Sequence, residues 1–261
     1  NEINLSLLSH VNSRFGWSIF NNTLIDIQLH NPIIPQLKTN AYTQGGLIAG
    51  IAWSFFDFKL DIGISGKVVQ RAGTQTTFSV FDEAIVDATN GKTEKLEKKF
   101  ANKSSAAPDF GFTYHIDSVH NLNPKISMSL LNIGGLDFEA AGKIPMTVNL
   151  GLATESELQG IDFILSADYH DLTNNQKLAT GSKSLTERNF KIGFEAGWEK
   201  LFNGHHFVSI RMGRNGPYNS VGGSLNLFGI KFDLAKYSEE VGGYAGDIED
   251  KRISLQMKII F

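Results

Sequence analysis

The chain of 261 residues contains no cysteine, no long apolar run and no excess of positive charge, and each absence excludes a class of protein. Without cysteine there can be no disulfide framework and no thiolate metal site. The longest stretch without a charged or strongly polar break, 45–56, is too short for a transmembrane helix, which needs roughly 20 apolar residues. The net charge of -3 argues against nucleic acid as a partner.

The last ten residues, 252–261, alternate regularly between apolar and polar side chains. The apolar positions are Ile253, Leu255, Met257, Ile259 and Phe261, and the polar positions between them are Arg252, Ser254, Gln256 and Lys258. Such alternation predicts a strand with one apolar face. A strand of this kind that ends on an aromatic residue is typical of the closing strand of an outer-membrane β-barrel. An edge strand of a soluble sandwich alternates in the same way.

The same period of two recurs along most of the chain. It is seen at 47–55, 58–71, 110–116, 126–130, 146–152, 161–169, 190–198, 206–212, 221–227 and 230–234, and two further strands are expected near the start. This makes about thirteen strands, and a tilted strand of ~9–11 residues is long enough to cross a bilayer. The pattern therefore predicts an all-β protein.

The connections between these strands alternate in length. The short ones are 56–57, 154–160, 202–204 and 228–229, and the long ones are 72–108, 133–145, 170–187 and 238–251. Short periplasmic turns opposite long extracellular loops distinguish an outer-membrane barrel from a sandwich. We therefore predict one domain, 1–261, forming a transmembrane antiparallel β-barrel of about 14 strands (12–14) in a bacterial outer membrane.

The amino-terminal region leaves the strand count open. Bacterial single-chain barrels have an even number of strands, so fourteen are expected. Either a strand precedes residue 1 in a longer protein, or Ile3–Phe20 folds as a hairpin around His10–Ser13, with a further strand at Thr23–Leu29. The shared parity of the apolar residues in 3–19 favours one long strand. No signal peptide opens the chain, so an exported product would be mature or trimmed.

The parity of each strand predicts which side chains face lipid. Phe194, Trp198, Leu165 and Leu255 are expected to face lipid, and Glu195, Asp162, Arg211 and Lys258 are expected to face the lumen. The charges of the predicted lumen have mixed signs, so we expect many of them to pair. No ring of one sign indicates an ion-selective constriction.

Three segments resemble a known family of barrels. Lys143–Ala153 (KIPMTVNLGLA) is similar to a strand entry of the long-chain fatty-acid transporter superfamily, and Ser127–Gly135 resembles its mid-barrel strand exit. Phe232–Asp247, followed by Arg252, resembles the closing hairpin of the TraF-like and PorV-like branches. The resemblance implies fourteen strands, an amino-terminal hatch and passage of hydrophobic molecules. No obvious hatch sequence precedes Asn12.

Motifs that would carry catalysis are incomplete. Asn90–Thr93 lacks the earlier glycine of a phosphate-binding loop, and the consecutive pair His205–His206 would point to opposite strand faces. Asp168 could orient His170 as a general base, but no serine is tied to the pair by spacing. We expect no enzyme activity, no catalytic or metal site and no cofactor.

Two functions remain open. The resemblance implies the first, in which the barrel passes or binds hydrophobic small molecules, and we expect an apolar site at Phe78, Phe81 and Ile85, with Arg71 and Arg211 as candidate polar contacts. In the second, it is a non-transporting outer-membrane scaffold of a secretion, conjugation or surface-anchoring assembly. Its partners would then be outer-membrane lipid and a protein bound at the extracellular loops. A general porin ranks third.

Overall fold

The computed structural model describes residues 2–30, 36–79, 82, 97–117, 121–175, 185–200, 206–227, 229–240 and 249–259. Strands dominate these residues. They are β1 (Glu2–Val11), β2 (Phe15–His30), β3 (Gln36–Phe55), β4 (Leu60–Ser79), β5 (Ala101–His115), β6 (Asn123–Leu131), β7 (Leu136–Asp137), β8 (Lys143–Ile144), β9 (Thr147–Leu158), β10 (Ile161–Tyr169), β11 (Phe190–Lys200), β12 (His206–Asn215), β13 (Tyr218–Leu227), β14 (Ile230–Glu240) and β15 (Glu249–Ile259). The helical elements with described bounds are a 3-10 turn (Glu139–Ala141) and helix α1 (Leu185–Asn189).

Thirteen strands form one sheet in which each strand lies beside the next large strand along the chain. The order is β1-β2-β3-β4-β5-β6-β9-β10-β11-β12-β13-β14-β15, while β7 and β8 pair separately. The all-β prediction is therefore confirmed. One antiparallel sheet of thirteen strands is thus shown, and among the described residues no pairing joins β1 to β15.

The chain divides into two compact units. The first contains Asn1–Trp53, Ile62–Phe110 and Leu131–Met146, and the second contains Ser54–Asp61, Gly111–Leu130 and Thr147–Phe261. In the second unit, β9 to β15 follow continuous antiparallel registers, as in the pairing of Leu165 with Phe194 and of Glu195 with Arg211.

The amino-terminal strands differ from the expectation. Ile3–Phe20 is a hairpin rather than one long strand, because the chain reverses at Asn12. The Asn12 side-chain Oδ1 accepts hydrogen bonds from the backbone N–H groups of Arg14 and Phe15 at 2.9 and 2.8 Å, which stabilises the reversal. Thr23–Leu29 continues the second strand of this hairpin. The hairpin therefore adds no fourteenth strand.

Several strands are also longer than the period of two indicated. The predicted loop 72–108 is shorter, because β4 continues to Ser79 and β5 begins at Ala101. The predicted loop 238–251 shortens in the same way, since β14 ends at Glu240 and β15 begins at Glu249. Polar side chains in these extensions hide the alternation, although in β14 and β15 the backbone pairing continues as far as Glu240 and Glu249.

The sheet exposes apolar side chains and covers polar ones. Leu234, Leu255 and Met257 are 56%, 76% and 63% exposed, whereas Ser209 and Asn226 are 2% and 1% exposed. These side chains belong to alternating positions of neighbouring strands, so the two faces of the sheet differ in polarity. The predicted parity agrees at Leu165 and Leu255, which are exposed, and at Asp162, which is largely covered. Lys258, predicted to lie on the face of Asp162, is exposed.

The predicted long loop 133–145 is folded. It lies within residues 132–146, here called the cap segment, which contains β7, the 3-10 turn and β8. Leu136, Phe138 and Ala141 of the cap segment pack with Val69 of β4 and Ala107 of β5 in a fully buried cluster. Among the described residues this cluster is the hydrophobic core, and it lies on the face of β4 and β5 that also carries polar side chains.

Candidate functional site

Arg71 on β4 is the most deeply covered cation among the described residues of the first unit, with 4% of its surface exposed. Its Nε and Nη2 donate to Oε1 of Gln44 at 2.9 and 2.6 Å. The guanidinium lies 4.1 Å from the ring centroid of Tyr42 and 4.5 Å from that of Phe138, and Nη1 donates to the Ala141 carbonyl at 3.3 Å. No carboxylate pairs with Arg71 among the described residues. Two aromatic faces therefore stabilise a charge that an acid would otherwise neutralise.

The cap segment has internal contacts of its own. Leu136 pairs with Ile144 and Asp137 pairs with Lys143 in a short antiparallel register. Lys143 Nζ lies 2.6 Å from a carboxylate oxygen of Asp137, and the Glu139 N–H donates to the other carboxylate oxygen at 2.9 Å. The hydrogen bond from Lys143, assisted by that from the Glu139 backbone, lowers the pKa of Asp137. Asp137 is therefore an ionised anchor of the hairpin at neutral pH.

Side chains of β5 hold the cap segment from outside. Lys103 Nζ lies 2.6 Å from Oε1 of Glu139, and the backbone N–H of Asp137 donates to Oγ of Ser105 at 3.2 Å. The Lys103 pair is exposed to solvent, so its contribution to stability is small. The apolar cluster and Arg71 therefore provide the principal contacts between the cap segment and the strands.

Asp109 on β5 ties the base of the cap segment to the sheet. Its Oδ1 lies 2.9 Å from Nζ of Lys67 and accepts the N–H of Asn132 at 2.7 Å, while Oδ2 accepts the hydroxyl of Ser65 at 3.2 Å. Asn132 in turn donates from Nδ2 to the carbonyl of Pro145 at 3.3 Å. One buried carboxylate thus joins two strands and both ends of the cap segment.

Arg211 on β12 is the centre of a polar network in the second unit. Its Nε donates to Glu195 at 3.0 Å and its Nη1 to Asp233 at 3.1 Å. Nη2 donates to Ser224 at 3.1 Å and to Ser209 at 3.4 Å. Two carboxylates therefore neutralise this cation, and its donors are engaged by neighbouring strands.

The His206 side chain lies against Gly197 of the neighbouring strand β11. Its Nε2 is 2.8 Å from a carboxylate oxygen of Asp162. A Cβ placed on Gly197 would lie 2.5 Å from the imidazole ring, which is closer than real Cβ atoms approach. The absence of a side chain at Gly197 therefore makes room for the contact between His206 and Asp162.

We expect Gly197→Ala to remove this contact and to lower the free energy of unfolding by about 1–3 kcal/mol, since the ring must move away from the new methyl group. Chemical unfolding in detergent micelles measures the loss. Adding His206→Ala to Gly197→Ala should then cost less than His206→Ala costs in the wild-type chain. Equal costs in both backgrounds would show that Gly197 does not position the imidazole.

The residues proposed from sequence as a ligand site are only partly brought together. Phe78 and Arg71 lie on the same strand, β4, and both are buried, but Phe78 belongs to the strand and not to a loop. Phe81 and Ile85 lie outside the described residues. Arg211 belongs to the second unit, where it is paired with carboxylates.

The His170 and Asp168 pair does not form a recognisable catalytic group. Burial lowers the pKa of His170, and the positive charge of Lys191 lowers it further. The backbone N–H of His170 donates to the Asn189 carbonyl at 2.8 Å. Within the described ranges, no serine hydroxyl is hydrogen-bonded to the His170 ring. Asn90–Thr93 and His205 lie outside these ranges.

One feature of the sequence indicates that the cap segment is folded. Leu136 and Phe138 are large apolar residues within a connection that was predicted to be a long loop, and glycines flank them at 134, 135 and 142. Apolar side chains between glycine-rich bends are typical of a connection that folds back on its own strands. The period of two gave no indication of it, because β7 and β8 have two residues each.

No group of three or more metal-ligating side chains is found in the described part of the chain. Nor does any helix there have the length and apolar character needed to cross a membrane. Comparison with protein-family models and with curated proteins finds no match to this chain.

Proposed function

We propose that this chain is a bacterial outer-membrane β-barrel that passes or binds hydrophobic small molecules. The observation that carries the proposal is the exposed apolar face of the sheet. Leu255 and Ile253 are each 76% exposed, and large apolar side chains are exposed on nearly every strand. Contiguous apolar surface of this extent would associate in water, whereas it matches the hydrocarbon core of a bilayer.

The connections support the same proposal. In an antiparallel sheet of neighbouring strands, successive connections lie at opposite ends. The connections 12–14, 56–59, 159–160 and 228–229 are short, while 80–100, 132–146 and 170–189 at the alternate positions are long. Two connections at the alternate positions, 31–35 and 216–217, are short, and 116–122 at the other end is longer than either of them. This sorting fits short periplasmic turns and longer extracellular loops.

The resemblance of Lys143–Ala153 and Phe232–Asp247 to the fatty-acid transporter superfamily supplies the ligand class of the proposal. Arg71 and Phe78 are then the candidate residues of a lumenal site, because both are buried on β4 and one is cationic while the other is apolar. Such a site would hold an amphipathic molecule with an apolar chain.

The uptake of a labelled long-chain fatty acid into proteoliposomes tests this function. We expect Phe78→Ser to reduce uptake by about tenfold, because an apolar ligand would lose an apolar contact. Phe100→Ser is the matched control, since Phe100 is 53% exposed and lies outside the strands, and it should leave uptake unchanged. No uptake by the wild-type protein, or equal uptake by both variants, would contradict the proposal.

A second candidate function is a non-transporting outer-membrane scaffold. The pairing of polar-face charges favours it, since Arg211 is engaged by Glu195 and Asp233 and Lys67 by Asp109. Charges that neutralise one another stiffen a wall and leave few groups for a solute. An inserted protein that carries neither ions nor fatty acid, and that retains a partner protein through its long loops, would favour the scaffold.

A further inference from the structure

We propose that the cap segment is a movable gate. Its hairpin, residues 136–144, moves away from the strands as one rigid unit, and Arg71 acts as the latch, meaning the side chain that holds the hairpin in the closed position. The inference rests on the proposed barrel function, because a gate requires a lumen. It adds a device that neither the alternation of the strands nor the family resemblance predicts. The resemblance implies an amino-terminal hatch, whereas the cap segment is an internal connection of the first unit.

The hairpin of the cap segment holds its own shape. The N–H groups of Phe138, Ala141 and Gly142 are bonded to carbonyls inside the segment, at 2.9 to 3.1 Å. The pair of Asp137 and Lys143 closes the hairpin at 2.6 Å. These three groups therefore keep their partners whether or not the hairpin contacts the strands. Movement would free two other backbone groups, the Asp137 N–H and the Ala141 carbonyl, which bond to Ser105 and Arg71 in the closed state and would bond to water in the open one.

The chain that enters the hairpin is bonded to the sheet and is followed by two glycines. Asn132 is fixed to the sheet through Asp109, and the N–H of Ile133 donates to the Pro108 carbonyl at 2.9 Å. Between this anchor and β7 come Gly134 and Gly135, with φ of 87° and 77°. Two consecutive glycines can take up a large change in backbone angle at low steric cost. They form the pivot on the entering side.

The contacts across the interface are made by side chains. The hairpin is not part of the thirteen-stranded ladder, and β7 and β8 pair only with each other among the described residues. Arg71 and Lys103 of the strands donate hydrogen bonds to the hairpin, and the Ser105 hydroxyl accepts one from it. Separation therefore breaks a few side-chain contacts and an apolar cluster, and leaves the sheet intact.

The contacts of Arg71 fit both a closed and an open position of the cap segment. Gln44 and Tyr42, both on β3, would remain in contact with the guanidinium if the cap segment moved away. The contacts to Ala141 and Phe138 would be lost. The cation thus keeps a place on the sheet in the open state and adds a hydrogen bond and an aromatic contact in the closed one. A latch of this kind biases a two-state equilibrium.

Thiol labelling in detergent micelles tests the motion independently of transport. The chain has no native cysteine, so Ala141→Cys reports on the cap segment and Ala196→Cys on the sheet of the second unit. The two alanines are 0% and 3% exposed. We expect Arg71→Gln to raise the labelling rate of Ala141→Cys by about tenfold, as for the loss of a charged hydrogen bond, and to leave Ala196→Cys unchanged. Unchanged rates at both sites, or equal increases at both, would overturn the latch.

A cross-link tests the gate in a bilayer. Nζ of Lys103 lies 2.6 Å from Oε1 of Glu139, so a short bifunctional thiol reagent should join Lys103→Cys on β5 to Glu139→Cys on the cap segment. We expect the cross-linked form to conduct less than the same variant before cross-linking, with Arg71→Gln conducting more than wild type. Equal conductance before and after cross-linking would overturn the gate. A protein that never inserts contradicts the barrel function instead, while the labelling result still decides whether the cap segment moves.

Discussion

Leu255→Arg is expected to prevent folding into a lipid bilayer, whereas Gln256→Arg is expected to be tolerated. Both positions are exposed and adjacent on β15, but their side chains point to opposite faces of the sheet. In water an arginine at either position would cost little. On the lipid face of a barrel at the bilayer midplane, it costs roughly 2–4 kcal/mol. The pair therefore separates a membrane environment from an aqueous one.

The measurement is the folded fraction in phospholipid vesicles, read from the mobility of unheated protein in detergent gels. Leu165→Arg repeats the test on β10, where Leu165 is 48% exposed. Asp162 is a poor control on that strand, because its carboxylate contacts His206 and its replacement would remove a partner. Equal folding of Leu255→Arg and Gln256→Arg in vesicles would mean that the apolar face does not contact lipid.

The faces of the strands were predictable because the side-chain period of a strand is two. Leu165 and Leu255 are exposed and Asp162 is covered, as the parity of their positions predicted. The strand ends were less predictable, since β3 and β4 continue into polar sequence. There the backbone ladder extends the strand, and ladder hydrogen bonds depend on the neighbouring strand more than on the side chains.

The hairpin at Asn12 shows a different reason for error. The apolar residues on both sides of the turn have the same parity, which favoured one long strand. The turn depends instead on one side chain, because Asn12 Oδ1 accepts the N–H groups of Arg14 and Phe15. Periodicity contains no information about such a local hydrogen bond.

The candidate site depended on contacts between residues distant in the sequence. Arg71 was predicted to be a polar contact of a ligand, yet its neighbours are Gln44 and the cap residues Phe138 and Ala141. No spacing within one strand indicates that a connection some seventy residues later covers this side chain. The contact of the cap segment with Arg71 is therefore visible in the three-dimensional structure and not in the sequence pattern.

Asp109→Ala is expected to destabilise the first unit by about 3–5 kcal/mol, the usual cost of removing one partner of a buried ion pair. The side chains of Lys67 and Asp109 are only 14% and 11% exposed. The substitution leaves the Lys67 ammonium without its carboxylate and the Asn132 N–H without its acceptor. Both losses occur where the cap segment joins the sheet, so we expect the cap segment to separate from the strands before the sheet unfolds.

Two further variants separate the charge from the hydrogen bond. Asp109→Asn retains an oxygen that can accept the Asn132 N–H, so it should cost less than Asp109→Ala. Adding Lys67→Met to Asp109→Ala removes the unpaired charge and should restore part of the stability, measured by urea unfolding in micelles. Because the Ser129 hydroxyl of the second unit accepts one neutral hydrogen bond, from Nδ2 of Asn149 at 3.1 Å, Ser129→Ala serves as the control for a single neutral hydrogen bond, at about 0.5–1.5 kcal/mol. If Asp109→Ala costs no more than this control, the carboxylate is not the anchor of the cap segment.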